Sequence, residues 1–221
     1  MPSRRHFVAT TAALLSAPLA APALALARPS AAQKAAWDAR VTPPAFDPAT
    51  SNPWGLHPRL LPRRVEARPG LRPGDIHVDA RARYLYHIEP GGTAMRYGVA
   101  IARDDLYEPG RYTIRRKVSW PPWTPTRNMI EREPEKYAEF ADGVPPGPDN
   151  PLGSRALYLF DGGRDTYLRI HGTPHPRSIG GLASSGCVRM VMAHINTLYD
   201  RVDLGVTAVL YPLDGGRPRS G

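Results

Sequence analysis

Two side chains capable of covalent chemistry stand sixteen residues apart, His171 and Cys187. They bracket Gly172-Thr173-Pro174-His175-Pro176-Arg177-Ser178-Ile179-Gly180-Gly181 and then Ala183-Ser184-Ser185-Gly186. A nucleophilic thiol needs a nearby base, backbone donors for an oxyanion and surroundings that favour the thiolate. His171 supplies the base if the intervening loop folds back, and the small turn Ser185-Gly186-Cys187 lets a substrate approach main-chain N–H groups. A helix beginning soon after Cys187 adds its dipole if the thiol lies near its axis. Other uses of the residues stay open here. A lone cysteine can be a buried small hydrophobe or an intermolecular link, and His171, His175 and Cys187 have zinc-ligand types on a scaffold stiffened by Pro174 and Pro176.

Bringing these residues together takes a framework, and from about Asp75 short apolar runs alternate with turn signals. Ile76–Val78, Arg83–Ile88, Met95–Ile101, Arg111–Trp120, Ala156–Phe160, Thr166–Ile170 and Val206–Tyr211 read as strands. Pro90-Gly91-Gly92 and Asp161-Gly162-Gly163 read as hairpin turns, the second placing His171 at the end of a hairpin strand. Tyr84, Tyr86 and Ile88 fall on one face at period two. Ile195, Leu198, Tyr199 and Val202 follow helical spacing, which predicts one main helix over about 193–202. Residues 121–154 form a long Pro-rich excursion with a short amphipathic piece near 135–140, a candidate binding loop. The fold class predicted is mainly β, with one main helix and a long inserted loop.

The chain carries 29 Lys+Arg against 20 Asp+Glu, 26 prolines, 20 glycines and one cysteine. One cysteine excludes intramolecular disulfides and multi-cysteine zinc modules. Ser3-Arg4-Arg5-His6-Phe7 followed by the Ala/Leu-rich stretch to Ala27 reads as a twin-arginine export signal over residues 1–27, with cleavage after Ala25 or Ala27. The expected location is the periplasm, where nucleic acid is excluded as a partner and an unpaired thiol calls for a chemical reason. Without residues 1–27 the balance is 27 basic to 20 acidic groups. Residues 28–73 read as a Pro-rich linker or strap in which Trp37, Phe46, Trp54, Leu60 and Leu61 dock; residues 74–213 read as the catalytic domain and 214–221 as a tail.

The segment Ile170-His171-Gly172-Thr173, Ser178-Ile179-Gly180 and Ser184-Ser185-Gly186-Cys187-Val188-Arg189-Met190 resembles the active-site signature of the L,D-transpeptidase (YkuD-type) family. That signature runs His-Gly, a variable loop, then Ser-[His/Ser]-Gly-Cys-x-[Arg/Asn]. Arg115–Pro125 and Asn150–Leu159 resemble stretches of its Gram-negative exported branch, and the likeness covers about Gly74 to Leu213. The resemblance implies a β-sandwich-like catalytic domain. It implies Cys187 as acyl-accepting nucleophile, His171 as base and the Gly172 carbonyl as the group orienting the imidazole. The amides of Ser185, Gly186 and Cys187 would form the oxyanion hole, and Arg189 and Trp123 would bind substrate. Arg189 as a structural arginine, and Trp120 and Trp123 as packing residues, are the alternatives. Many members carry His where this chain has Ser185.

The reaction so implied is attack of Cys187 on a peptidoglycan tetrapeptide stem, release of D-alanine and transfer of the thioester to an amine, giving 3→3 cross-links. It needs no metal or cofactor, and it implies a covalent adduct with carbapenems. The same acyl-enzyme could pass to water, a D-amino acid or an amine of an envelope protein. A non-catalytic peptidoglycan-binding module is the remaining alternative.

Overall fold

The computed structural model describes residues 28–216. The export signal expected at 1–27 lies outside these residues, as do residues 217–221. Eleven strands dominate: β1 (Arg63–Glu66), β2 (Ile76–Asp79), β3 (Tyr84–Glu89), β4 (Thr93–Gly98), β5 (Ile101–Ala102), β6 (Gly110–Ser119), β7 (Arg155–Asp161), β8 (Arg164–Thr173), β9 (Leu182–Ser184), β10 (Val188–Val191) and β11 (Thr207–Tyr211). Nine form one sheet in the order β1-β4-β3-β2-β11-β6-β7-β8-β10, and β5 pairs with β9. Within the large sheet, β2–β11 and β8–β10 are parallel and the other pairs antiparallel.

The sheet wraps round one core. Ile76, Val78 and Leu85 from one half bury into the same cluster as Leu157, Leu159, Ile170, Val188 and Met190 from the other. Helix α4 (Met192–Tyr199) seals it with Ile195 and Leu198, each with no exposed surface. The fold is mainly β, as its sequence pattern predicts. On β3 Leu85 has no exposed surface and Ile88 is buried, while Tyr84 and Tyr86 are half-buried.

A helix absent from the sequence reading is α1 (Ala31–Val41), which is longer than α4. Ser30 caps it: its Oγ accepts from the Gln33 N–H while Gln33 Oε1 accepts from the Ser30 N–H, each at 3.1 Å. This is a capping box at Ser-x-x-Gln, and the alanines behind it favour helix. The helix docks through Trp37, edge-on to Trp120 with ring centroids 5.1 Å apart, and through Asp38, held by both Nη atoms of Arg155 at 2.8 and 2.9 Å. Further along, Phe46 and Trp54 pack around His194 of α4. Residues 31–54 are therefore laid over the α4 side of the sheet, whereas residues 63–66, within the stretch expected to be a linker or strap, form the edge strand β1 instead. The excursion between β6 and β7 is built from α2 (Arg127–Arg132) and α3 (Pro134–Tyr137) with short turns. No helix among the described residues is long and apolar enough to cross a membrane.

Candidate active site

β8 and β10 run parallel with Val188 opposite Ile170 and Arg189 opposite His171. Alternation sends Ile170, Val188 and Met190 into the core, so Arg169, His171 and Arg189 project from the other face. Cys187 immediately precedes β10. Strands ~4.8 Å apart rising ~3.3 Å per residue put its Cα about 8 Å from that of His171, within side-chain reach. All four side chains line one cavity of about 1170 Å³. Its wall comes from the excursion, including Trp123 and Tyr137, and from Tyr158 and Tyr167; His175 sits exposed at its edge. The residues lining it fall between Asp105 and Arg189, so nothing from the described part of 28–73 covers the thiol.

The turn before Cys187 depends on two small residues. Gly186 has φ 138°, and a Cβ there would lie 3.3 Å from Leu168 Cδ2, so a side chain would meet both strain and a packed wall. Ser184 knits the turn: its Oγ donates to the Cys187 carbonyl at 2.5 Å and accepts from the Gly186 N–H at 3.4 Å. The Gly186 amide is thus engaged at rest, by a bond long enough to be exchanged. Ser185 faces outward, and its Oγ shares a 2.7 Å hydrogen bond with the hydroxyl of Tyr137. The excursion is anchored to the turn by that contact and by the ion pair between Arg103 and Glu133.

His171 is buried, and its Nδ1 lies 2.5 Å from the Gly172 carbonyl oxygen. With Nδ1–H donating there, Nε2 is left as the basic nitrogen. Burial pushes the imidazole down to about 3, aided by the Arg189 charge and opposed by the Gly172 carbonyl, so the ring is neutral at ordinary pH. Burial likewise pushes the Cys187 thiol up, against the Arg169 amide and the Arg169 and Arg189 charges. The resting pair is a neutral thiol and a neutral base. Among the described residues the thiol's hydrogen bond goes to the Tyr167 carbonyl, at 3.7 Å, and none joins it to His171.

The helix dipole does not act on the thiol. β10 separates Cys187 from the start of α4. Four residues of strand span ~13 Å, whereas the dipole fades within a turn. Trp120 is 1% exposed and packs on Trp37, so it belongs to the docking of α1. Trp123 lines the cavity but also packs tilted against Tyr137 and edge-on to Phe140, with ring centroids 6.2 and 6.0 Å away. Arg189 is partly buried between Cys187 and Tyr137, and no carboxylate pairs with it among the described residues. Among those residues no three His, Cys, Asp or Glu side chains are grouped to hold a metal ion.

Two neighbours of the thiol, Arg169 and Tyr167, and the partner of Ser185, Tyr137, are absent from the sequence expectations. Arg169 was legible, since it lies two residues before His171 on the same strand and must share its face. Tyr137 was not, because only the folded excursion brings residue 137 to residue 185.

Known proteins resemble this chain over the domain that carries the cavity. Residues 73–210 match the family model for the L,D-transpeptidase catalytic domain, YkuD. "Probable L,D-transpeptidase ErfK/SrfK" of Escherichia coli (strain K12) is 31% identical over 147 residues, 66% of this chain and 46% of the relative. "Probable L,D-transpeptidase YcfS" of the same organism is 36% identical over 125 residues, 55% of this chain and 38% of the relative. The chain thus spans half or less of the length of these relatives. A Brucella melitensis crystal structure described as a probable carnitine operon oxidoreductase is 48% identical, covering 70% of this chain and 96% of that one with a TM-score of 0.48. With the family model spanning well over half of its length, this chain belongs to the YkuD family of L,D-transpeptidase catalytic domains.

Proposed function

We propose that the protein is a periplasmic L,D-transpeptidase in which Cys187 carries the acyl group of a peptidoglycan stem. The observation that supports this most is the placement of Cys187, just before β10, and a neutral His171, on the paired strand β8, in the lining of one cavity. His171 Nε2 takes the thiol proton as the sulfur attacks the carbonyl at the L-centre of residue three. The oxyanion meets the amides of the turn, with Gly186 exchanging its long bond to Ser184 Oγ for the stronger charged acceptor. His171 then returns the proton to the departing D-alanine nitrogen, leaving a thioester. An incoming amine loses its proton to His171, attacks the thioester carbonyl and expels the thiolate, which is reprotonated.

Arg189, without a carboxylate partner among the described residues, is the side chain suited to a stem carboxylate. Trp123 supplies an apolar wall on the far side of the cavity. The acceptor that forms 3→3 cross-links is the side-chain amine of a diaminoacyl residue on a neighbouring stem. An envelope-protein amine, a D-amino acid or water would use the same intermediate.

Mass spectrometry of the protein incubated with a disaccharide-tetrapeptide tests the reading and separates these acceptors. The expected results are loss of D-alanine, a dimeric product and a transient acyl adduct on the protein. Unchanged tetrapeptide, or full activity in Cys187→Ala, would overturn it. Retention on sacculi without turnover would instead mark a binding module.

A further inference from the structure

The strand that carries His171 is interrupted just before it. β7 and β8 pair from Ala156/His171 to Tyr158/Arg169, after which Phe160 stands opposite Asp165. Residues 166–168 of β8 therefore face the single residue 159. Such a bulge re-aims the chain beside a site, and this one is tied from within. Thr166 Oγ1 donates to the Leu159 carbonyl at 2.7 Å and accepts from the Leu168 N–H at 3.2 Å, while the Tyr167 N–H donates to Asp165 Oδ1 at 2.9 Å.

Arg169 closes the bulge. Its Nη1 and Nη2 donate to the two oxygens of Asp165 at 2.7 and 2.9 Å, and Nη1 also donates to the Leu168 carbonyl at 2.8 Å. The guanidinium lies 3.9 Å over the Tyr158 ring, and the residue is 8% exposed. Held in this way, Tyr167 adopts φ 62°. That conformation costs an L-residue about 1 kcal/mol or more and persists only where surroundings enforce it. The Tyr167 carbonyl thereby faces Cys187 Sγ, and the Arg169 N–H reaches the same sulfur.

We propose that Arg169 is a positioning residue for Cys187: clamped by Asp165 and Tyr158, it holds the bulge that offers the sulfur an acceptor and a donor, and it fixes a cation beside the thiolate as it forms. The proposal rests on Cys187 being the nucleophile. A substrate carboxylate is not the natural partner of Arg169, because Asp165 already fills its fork. The other charged or titratable groups around the sulfur include Arg189 from β10, Glu108 from the loop before β6, His171 from β8 and, against Arg189, Tyr137 from α3 and Arg103 from the segment after β5.

The pH dependence of Cys187 alkylation by iodoacetamide, read by intact mass, tests this in the unmodified chain, Arg169→Gln and Asp165→Asn, with Tm measured alongside. Cys187 is the only cysteine, so every adduct reports on it. Loss of the cation should raise the midpoint by about one pH unit, a tenfold drop in thiolate at a fixed pH below it. Loss of the neutralising carboxylate should lower the midpoint. A purely structural clamp lowers Tm without producing shifts of opposite sign, and equal-sign shifts or none would overturn the proposal. If Arg169→Gln does not fold, Asp165→Asn decides alone, an unmoved or raised midpoint counting against it. Alkylation needs no peptidoglycan, so a failed turnover assay and a failed titration remain separate results.

Discussion

Gly153 approaches the main chain of Gly172 so closely that a Cβ on it would stand 2.8 Å from the Gly172 carbonyl carbon. It also has φ 62°, which glycine alone adopts freely. Gly172 is confined on its other side, where a Cβ would meet Met192 Cγ at 3.2 Å. The carbonyl facing His171 Nδ1 is therefore set by backbone contact rather than by a third side chain. Gly153→Ala should cost about 1–3 kcal/mol through clash and strain and lower kcat by displacing that carbonyl. Unchanged Tm and kcat would show that Gly172 is oriented by something else. Arg189 makes a different kind of contribution. If it holds a stem carboxylate, Arg189→Gln should raise KM about ten- to a hundredfold, the loss of a charged hydrogen bond of roughly 1.5–3 kcal/mol, and change kcat less. A loss confined to kcat, with KM unmoved, would assign it to the thiolate instead.

Helix α1 and the loop after it contribute no residue to the lining of the cavity, so their contribution to stability separates from turnover. Trp37→Ala removes the ring packed on Trp120 and should cost about 2 kcal/mol, lowering Tm while leaving kcat/KM for a stem peptide unchanged. A fall in kcat/KM at a temperature where the variant is fully folded would contradict that separation. The reasons α1 and β1 escaped the sequence reading are physical. Prolines at 29, 43 and 44 mask a capping box whose residues, Ser30 and Gln33, are both visible. β1 is Arg-Arg-Val-Glu on the sheet edge, pairing only with β4, and an edge strand is protected by the charges that hide it from an apolar pattern. The β3–β4 and β7–β8 hairpins and α4 were legible because each depends on local turn or periodic signals. His171 and Cys187 were legible by residue type, and period two along β8 would have added Arg169. β10 was not, since Val188–Val191 is a short run with no turn signal dividing it from the helix expected from about residue 193.

Four histidines, His77, His87, His171 and His194, are held by burial below their ordinary range, and for His171 and His194 the depression reaches about 3. His194 is the most isolated in polar terms. It has no exposed surface, both ring nitrogens lack partners among the described residues, and Phe46, Trp54 and Tyr97 surround it at 6.1, 5.2 and 6.4 Å. It therefore joins residues 46–54, α4 and β4 only while neutral. Because the folded-state value lies below the unfolded value of 6.5, the unfolded chain takes up the proton first. The stability held by the neutral ring is fully present above about pH 6.5 and drains as the pH falls towards 3. At about 1.4 kcal/mol per unit of difference, the two deepest histidines together withdraw several kcal/mol or more, a large part of a domain's ~5–15 kcal/mol margin. Thermal unfolding from about pH 4 to 8 should show Tm falling steeply below 6.5, the unfolded value. In His194→Leu the offset in Tm from the unmodified chain, whatever its packing effect, should be constant above about pH 6.5 and move in the variant's favour below it. Parallel curves across the whole range would place the acid sensitivity elsewhere, and turnover at about pH 7.5 should be unaltered because His194 does not line the cavity.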